Sequence, residues 1–291
     1  MWKLFVDLDE DFKPSEAKEH NLGFISMPVI IDGVPTLPYI EGELKDYEPH
    51  AFFERLRGGL VPKTSGLSPE QYRKHFEPYA KEGTAVLYAH FSEAMSGTFN
   101  AMRIAVGDLK KEFPAWRFEE VDTLAITGLS KAIIEEALPL YEKGASLDEV
   151  KKAIEDARQH FAITLFADDL KFFKASGRVS GISAFLGSAL GIKPIISIDK
   201  DGYMKPVGKV AGKKKAFMTI IEDIEKKGDD IPNHPFLIIH SDISKELLDY
   251  LHGLIVKHFG DIKVEEIIVS PVGGSHAGPD CLGIAFHAKH R

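Results

Sequence analysis

Four short stretches place hydroxyl, cationic or imidazole side chains where an anion could be held. Thr64-Ser65 stands behind Leu60-Val61 and just ahead of Ser68-Pro69. Hydroxyls in such a place can donate to an anion, and they also make common caps and turns. Met95-Ser96-Gly97-Thr98 follows the apolar run Ala85–Ala89 and opens a helical pattern reaching about Glu112. The first turn of a helix offers N–H groups without intrahelical partners and the positive end of the dipole. Ser96, Gly97 and Thr98 therefore make a ready seat for a phosphate or carboxylate, with Gly97 leaving room for close approach. The plain alternative is an N-cap at Ser96. Gly177-Arg178-Val179-Ser180 offers a fixed positive charge at Arg178, for an anion or for a surface carboxylate. Gly273-Gly274-Ser275-His276-Ala277-Gly278-Pro279 reads as a glycine-rich loop between strands that holds His276.

The acidic stretch Asp7-Leu8-Asp9-Glu10-Asp11 suggests a different chemistry. An Asp-x-Asp after an apolar strand resembles the nucleophile motif of haloacid-dehalogenase-type phosphatases. There one Asp attacks phosphorus and the other moves the proton, with magnesium between them. Asp7 and Asp9 would take those parts, and Asp168-Asp169 would be the later metal acids. The competing reading is a solvated acidic loop at a strand end. Cys281 with His276 could be written as a thiol pair, but nothing near Cys281 reads as an activating site. The chain lacks Gly-x-x-x-x-Gly-Lys-Ser/Thr, Gly-x-Gly-x-x-Gly at a strand–helix turn, His-Glu-x-x-His and Gly-x-Ser-x-Gly.

These residues must be positioned by alternating strands and helices. Lys3–Val6, Gly23–Ile31, Ala85–Ala89, Trp116–Val121, Ala162–Ala167, Ile192–Ile198, Phe236–His240, Lys263–Val269 and Leu282–Phe286 read as strands. Helices open at Ser68-Pro69 and at Ser146, each with a capping-box partner three residues on, Gln71 and Glu149. Further helices are expected over Ile126–Lys143, Gly212–Lys227 and Ile243–Phe259. Such alternation predicts α/β layers with largely parallel sheets. At about 150 residues per domain, 291 residues suggest two domains, split near residue 160 into 1–160 and 161–291. The net charge of −8 argues against a nucleic-acid partner, because phosphate binding needs a basic surface. A single cysteine rules out an internal disulfide and a structural zinc site of thiolates. The start, with acids at Asp7, Asp9, Glu10 and Asp11, is not a secretory signal, and no apolar run is long enough to span a membrane. The expectation is a soluble cytoplasmic protein.

In this order, the segments resemble the DegV family of fatty-acid-binding proteins. Asp7–Asp11 is similar to the family's opening Asp-Ser-x-x-Asp-Leu, with Leu8 in place of Ser. Pro28–Gly33 matches its second strand and Asp-Gly turn. Lys63-Thr64-Ser65 with Ser68-Pro69 is similar to its Thr-Ser-Gln-Pro-Ser, and Met95-Ser96-Gly97-Thr98 to its Leu-Ser-Gly-Thr. Asp169-Leu170-Lys171 through Gly177-Arg178-Val179-Ser180, then Leu186-Gly187 and Ile192-Lys193-Pro194, match its most recognisable stretch. Ser275–Pro279 with Leu282–Phe286 matches its C-terminal signature.

The resemblance implies a two-domain DegV-like α/β fold, each domain a mostly parallel sheet flanked by helices. It implies a long-chain fatty acid in an apolar tunnel, its carboxylate held by Thr64 and Ser96 with Arg178 and His276 nearby. Ser65, Gly97 and Thr98 join that expected head-group site. It further implies a carrier without catalytic activity, cofactor or metal, which presents the acyl chain to a separate fatty acid kinase. Stable membrane insertion is not expected, although transient contact is compatible with the role. Phe185, Leu186 and Phe286 are candidate tunnel residues by their place beside the matched motifs. Gly66-Leu67 replace the usual Gln-Pro, His90 and Phe91 stand where small residues are common, and Val210-Ala211-Gly212 lacks an Arg often found there.

Overall fold

The computed structural model describes residues 1–38, 49–179, 181 and 191–291. The first part of the chain runs β1 (Trp2–Asp7), a one-turn 3-10 helix (Leu8–Glu10), α1 (Pro14–Glu19), β2 (Gly23–Ile25), β3 (Val29–Ile31), β4 (Val34–Thr36) and α2 (Pro49–Arg57). It continues with β5 (Lys63–Thr64), α3 (Pro69–Glu82), β6 (Ala85–His90), a 3-10 turn (Glu93–Met95), α4 (Thr98–Glu112), β7 (Phe118–Asp122), α5 (Gly128–Glu142) and α6 (Leu147–Ala157). There follow β8 (Phe161–Phe166), α7 (Leu170–Ser176), β9 (Ile192–Ile198), β10 (Met204–Ala211), α8 (Lys213–Lys227), β11 (Leu237–His240), α9 (Lys245–Phe259), β12 (Glu265–Ile268), α10 (Pro271–Ala277) and β13 (Leu282–His287).

The first sheet has the order β2-β1-β6-β7 and is parallel throughout. Leu4, Phe5 and Val6 on β1 and Val86 through Ala89 on β6 are all buried. That continuous apolar character is what helices on both faces of a parallel sheet demand. Both expected capping boxes form. Ser68 Oγ accepts from Gln71 N–H at 3.2 Å while Ser68 N–H donates to Gln71 Oε1 at 2.8 Å. Ser146 and Glu149 repeat the exchange at 3.3 and 2.8 Å. From β1 the chain turns to one side for β2 and later to the other for β6. The gap between β1 and β6 is thus the point where strand order reverses, and α/β sheets hold ligands outside the carboxyl ends of strands there.

The α/β class extends to the second half, but its sheet corrects the expectation of mostly parallel strands. The order is β10-β9-β8-β13-β11-β12, and only β11 and β12 run parallel. Parallel neighbours need a crossover, which α9 supplies between β11 and β12. The last strand, β13, instead slots between β8 and β11 in the opposite direction. Strands β9 and β10 form a hairpin across Asp201-Gly202, where Gly202 has φ +82°. A small antiparallel sheet, β4-β3-β5, sets Thr64 opposite Val29.

The glycine-rich segment around His276 is a second correction: it is helical, not a loop. Ser270 caps α10 by accepting from Gly273 N–H at 3.2 Å, and Pro271 occupies the first turn. Gly274 survives inside this helix because a Cβ there would lie 2.8 Å from the ring of Phe53. Tertiary packing overrides the low helix propensity of glycine. Helix α5 is buried along Leu129, Ala132, Ile133, Ile134 and Ala137, and it packs on β8, β11, β13 and the turn after β1. Among the described residues no helix is long and apolar enough to cross a membrane.

Candidate functional site

The turns that follow β1 and β6 and one face of the second sheet line a cavity whose non-atom space, open mouth included, is about 1060 Å³. The far wall is built by strand alternation. Ile163 and Leu165 on β8, Ile198 on β9 and Ile239 on β11 all face it. The near wall comes from Met27, Phe91, Met95 and Ile126. This lining is mostly apolar, with Thr127, His240 and Ser241 among its polar members and a polar cluster around Thr64 and His276 that marks one end.

At that end stand Thr64, Ser65, Ser96, Thr98, Arg178 and His276, six of the seven residues expected from the sequence. They arrive on separate elements. Thr64 Oγ1 lies 2.8 Å from His276 Nε2, which joins β5 to α10. The base of α10 is fixed in turn to the turn after β1, because Ser270 N–H donates to Asp11 Oδ1 at 2.8 Å. Gly66 lets the β5 loop rest directly on α4. A Cβ at Gly66 would sit 2.7 Å from Thr98 Oγ1, so a larger residue here would push against Thr98.

The opening of α4 differs in detail from the expected cap. The N-cap is Gly97, and Ser96 Oγ accepts from Thr98 N–H at 3.3 Å. The Thr98 hydroxyl is spent inside the protein, accepting from Leu67 N–H at 3.1 Å and bonding the Tyr72 hydroxyl at 2.9 Å. Gly97 does not line the cavity. It faces a polar recess just outside, shared with Ser96, Asn100, Arg103 and Arg178. Arg178 is exposed and braced by two carbonyls, Met95 O at 3.3 Å and Ser176 O at 2.5 Å. Burial, helped by the nearby Arg178, pushes the His276 imidazole down to about 4. His276 is therefore neutral at physiological pH, and Arg178 supplies the fixed positive charge of this end.

The acidic stretch is not a solvated loop, since Asp7, Asp9, Glu10 and Asp11 are all buried. Asp7 accepts from Asp9 N–H at 2.8 Å and from the Tyr88 hydroxyl at 2.7 Å, and its own N–H donates to Glu10 Oε2 at 2.9 Å. Burial raises Asp7 and Asp11 to about 7 and holds Asp9 and Glu10 well above the usual carboxylate range. Asp7 does not line the cavity, whereas Asp9 does. Asp168 is tied to Lys193 at 2.6 Å and to Lys213 at 3.4 Å. Among the described residues, the grouping with metal-ligand spacing is His50, Glu54 and Asp242, where Arg57 already bonds both carboxylates. Asp7 is thus bonded within its own turn and to Tyr88, and of these two acids it is Asp9 that reaches the cavity. Burial pushes the Cys281 thiol up to about 12, and it donates to Ala277 O at 3.0 Å, so it stays protonated.

Phe286 was a candidate tunnel residue, but it faces the other side of the sheet. It packs with Ile284, Phe166 and Phe236, while Gly283 on the same strand lines the cavity. Successive residues of a strand point to opposite faces, and the motif's position could not say which. Phe185, Leu186 and Ser180 lie outside the described residues. The sequence reading did not name Ile163, Leu165, Ile198 and Ile239. The i, i+2 pairing of Ile163 with Leu165 was the available signal.

A protein family described as "Uncharacterised protein, DegV family" matches residues 1–289. A DegV domain-containing protein of Clostridium perfringens is 29% identical over 286 residues, covering 97% of this chain and 96% of that one. A protein of Thermotoga maritima named as a fatty acid-binding protein is 27% identical over 296 residues, with 99% and 98% covered. The crystal structure of a DegV lipid binding protein from Thermotoga maritima superposes with a TM-score of 0.82 at 26% identity, covering 100% of both chains. With the parallel sheet, the cavity at its switch point and a family match over nearly every residue, this chain belongs to the DegV family.

Proposed function

We propose that this protein is a carrier that holds a long-chain fatty acid in the cavity and presents its carboxylate to a separate fatty acid kinase. The observation that carries the reading is a largely apolar cavity whose lining includes a polar cluster of Thr64, Ser65, Ser96, Arg178 and His276. A relative at 27% identity bears the name fatty acid-binding protein, and a solved structure at 26% identity is described as lipid binding. On this reading the 1–160 and 161–291 parts act as two lobes, with the acyl chain against the sheet of the second.

A buried carboxylate needs partners, because an unpaired charge is costly to desolvate. Arg178 and the Thr64 and Ser96 hydroxyls offer them. A chain with ~14 methylenes gains about 0.8 kcal/mol for each, roughly 11 kcal/mol gross. Association and ordering costs remove much of that gain. Affinity then resides in the chain, and orientation in the head group. Ser65, Gly97 and Arg178 are exposed at the polar end, and the outer recess continues from it. A second protein can therefore reach the carboxylate while the chain stays covered.

The test is phosphorylation of the bound acid by a purified fatty acid kinase. Wild-type protein loaded with hexadecanoic acid should support acyl phosphate formation, and His276→Ala should slow it more than it weakens binding. Equal rates for both remove His276 from the transfer step. Magnesium-dependent release of phosphate from an aryl phosphate by the protein alone would replace the carrier reading with the phosphatase one.

A further inference from the structure

The site residues above leave one cavity group without a part. Asp9 is 4% exposed and lines the cavity with Thr64, Ser96, Arg178 and His276. Its backbone is fully engaged, with its N–H donating to Asp7 Oδ1 at 2.8 Å and its C=O accepting from Thr127 N–H at 2.6 Å. The side chain is therefore held in place. Yet among the described residues no hydrogen bond or ion pair reaches its carboxyl oxygens. A buried acid with no protein partner, on the wall of a cavity, has its partner supplied from the cavity or remains uncompensated.

The surroundings fix its protonation. On its own turn stand Asp7, Glu10 and Asp11, all buried. From α5 comes Lys131, already bound to Glu16, Glu135 and Glu265. From α10 comes His276, neutral at physiological pH, and from β11 His240, whose imidazole is likewise lowered by burial. Tyr88 on β6 is occupied with Asp7. Among the described residues that line the cavity Arg178 is the one cation, and it acts on Asp9. One cation cannot balance an ionised Asp9 together with an ionised ligand head group. Two facing carboxyl groups in a dry site resolve the conflict by keeping one proton between them.

This step rests on the carrier reading. We propose that Asp9 is a head-group ligand: a protonated carboxyl that donates a hydrogen bond to one oxygen of the lipid carboxylate and leaves the other to Arg178 and the hydroxyls. The proton stays on Asp9 or is shared with the ligand, and no bond other than the hydrogen bond is made or broken. A neutral acid used as a donor in an apolar site is known chemistry. The consequence is a site that accepts anionic head groups only while Asp9 keeps its proton.

The test is calorimetric titration with tetradecanoic acid of the wild type, Asp9→Asn and Asp9→Ala, each checked for native melting. Asn has nearly the shape of the acid, donates through its amide and does not titrate. Asp9→Asn should bind within about threefold of wild type, and Asp9→Ala should bind about tenfold or more weakly, as loss of a bond to a charged group implies. On raising the pH, wild-type affinity should fall once Asp9 ionises while that of Asp9→Asn stays flat. Equal or tighter binding by Asp9→Ala, Asp9→Asn no better than Asp9→Ala, or a wild-type affinity that rises with pH overturns the proposal. No binding by any of the three proteins, wild type included, overturns the carrier reading itself.

Discussion

At the polar end of the cavity every group sits on a loop or an element terminus: Thr64 on the two-residue β5, Ser96 before α4, Arg178 after α7 and His276 on the last turn of α10. Each is held by one or two hydrogen bonds, the longest reach being Thr64 to His276 across 212 residues of sequence. The apolar wall is the opposite case. Ile163, Leu165, Ile198 and Ile239 stand on three hydrogen-bonded strands, and their positions follow from strand pairing alone. The wall offers only apolar surface, while the polar end offers hydrogen-bonding groups and a charge. Strength of binding should therefore answer to the length of the lipid, and orientation to the loops.

The sharpest way to break that division is to shorten the ligand. Going from hexadecanoic to dodecanoic acid removes four methylenes, about 3 kcal/mol gross. Calorimetry should show affinity falling more than a hundredfold, and an equal affinity for both would place the binding energy at the head group. The next effect belongs to Thr64→Ala combined with Ser96→Ala. At about 1 kcal/mol per lost hydrogen bond, affinity should drop some tens of fold with the fold intact by circular dichroism. Arg178→Ala should cost about tenfold, measured by the same titration at low ionic strength, because an exposed cation is screened by water and salt.

The smallest change in binding is expected from Asp11→Asn, which lies behind α10 and outside the cavity lining. Its effect is on stability. Asp11 is raised from 3.8 to about 7 in the folded protein. The native state therefore holds more protons than the unfolded chain between those values, and stability falls as pH rises through that window. Asp11→Asn removes this slope. In denaturant titrations the variant should gain on the wild type from pH 4 to pH 7, by up to about 1.4 kcal/mol per unit. His90 and His276, both lowered to about 4, act with the opposite sign in both proteins and cancel in the difference. A constant difference across that range would show that Asp11 does not titrate as its burial requires.

The residues of the polar end stood out in the sequence as separate local features, a helix start, an Arg after a glycine and a His beside glycines, and the resemblance to the DegV family joined them into one expected site. The capping boxes at Ser68 and Ser146 and the buried strand expected at Ala85–Ala89 were readable because they are local. Three things were not. Helix α10 looked like a loop because Gly273 and Gly274 lower helix propensity, and the packing of Phe52 and Phe53 that compensates comes from distant sequence. The antiparallel course of the second sheet depends on β13 inserting between β8 and β11, and alternation along a strand reveals its faces but not its neighbours. The Asp201-Gly202 turn was an available hairpin signal for β9 and β10. Asp9 could be seen as an acid but not as a wall of the cavity, since burial of an acidic stretch depends on what packs over it.

The central claim is that the cavity holds one long acyl chain by its wall and one carboxylate at its polar end. Native mass spectrometry of the freshly purified protein, followed by denaturing extraction, tests it most directly. The account predicts one long-chain fatty acid per chain, released on denaturation and exchangeable with added hexadecanoic acid. A protein free of lipid that also fails to take up hexadecanoic acid, or one that carries only a water-soluble phosphate, would contradict it.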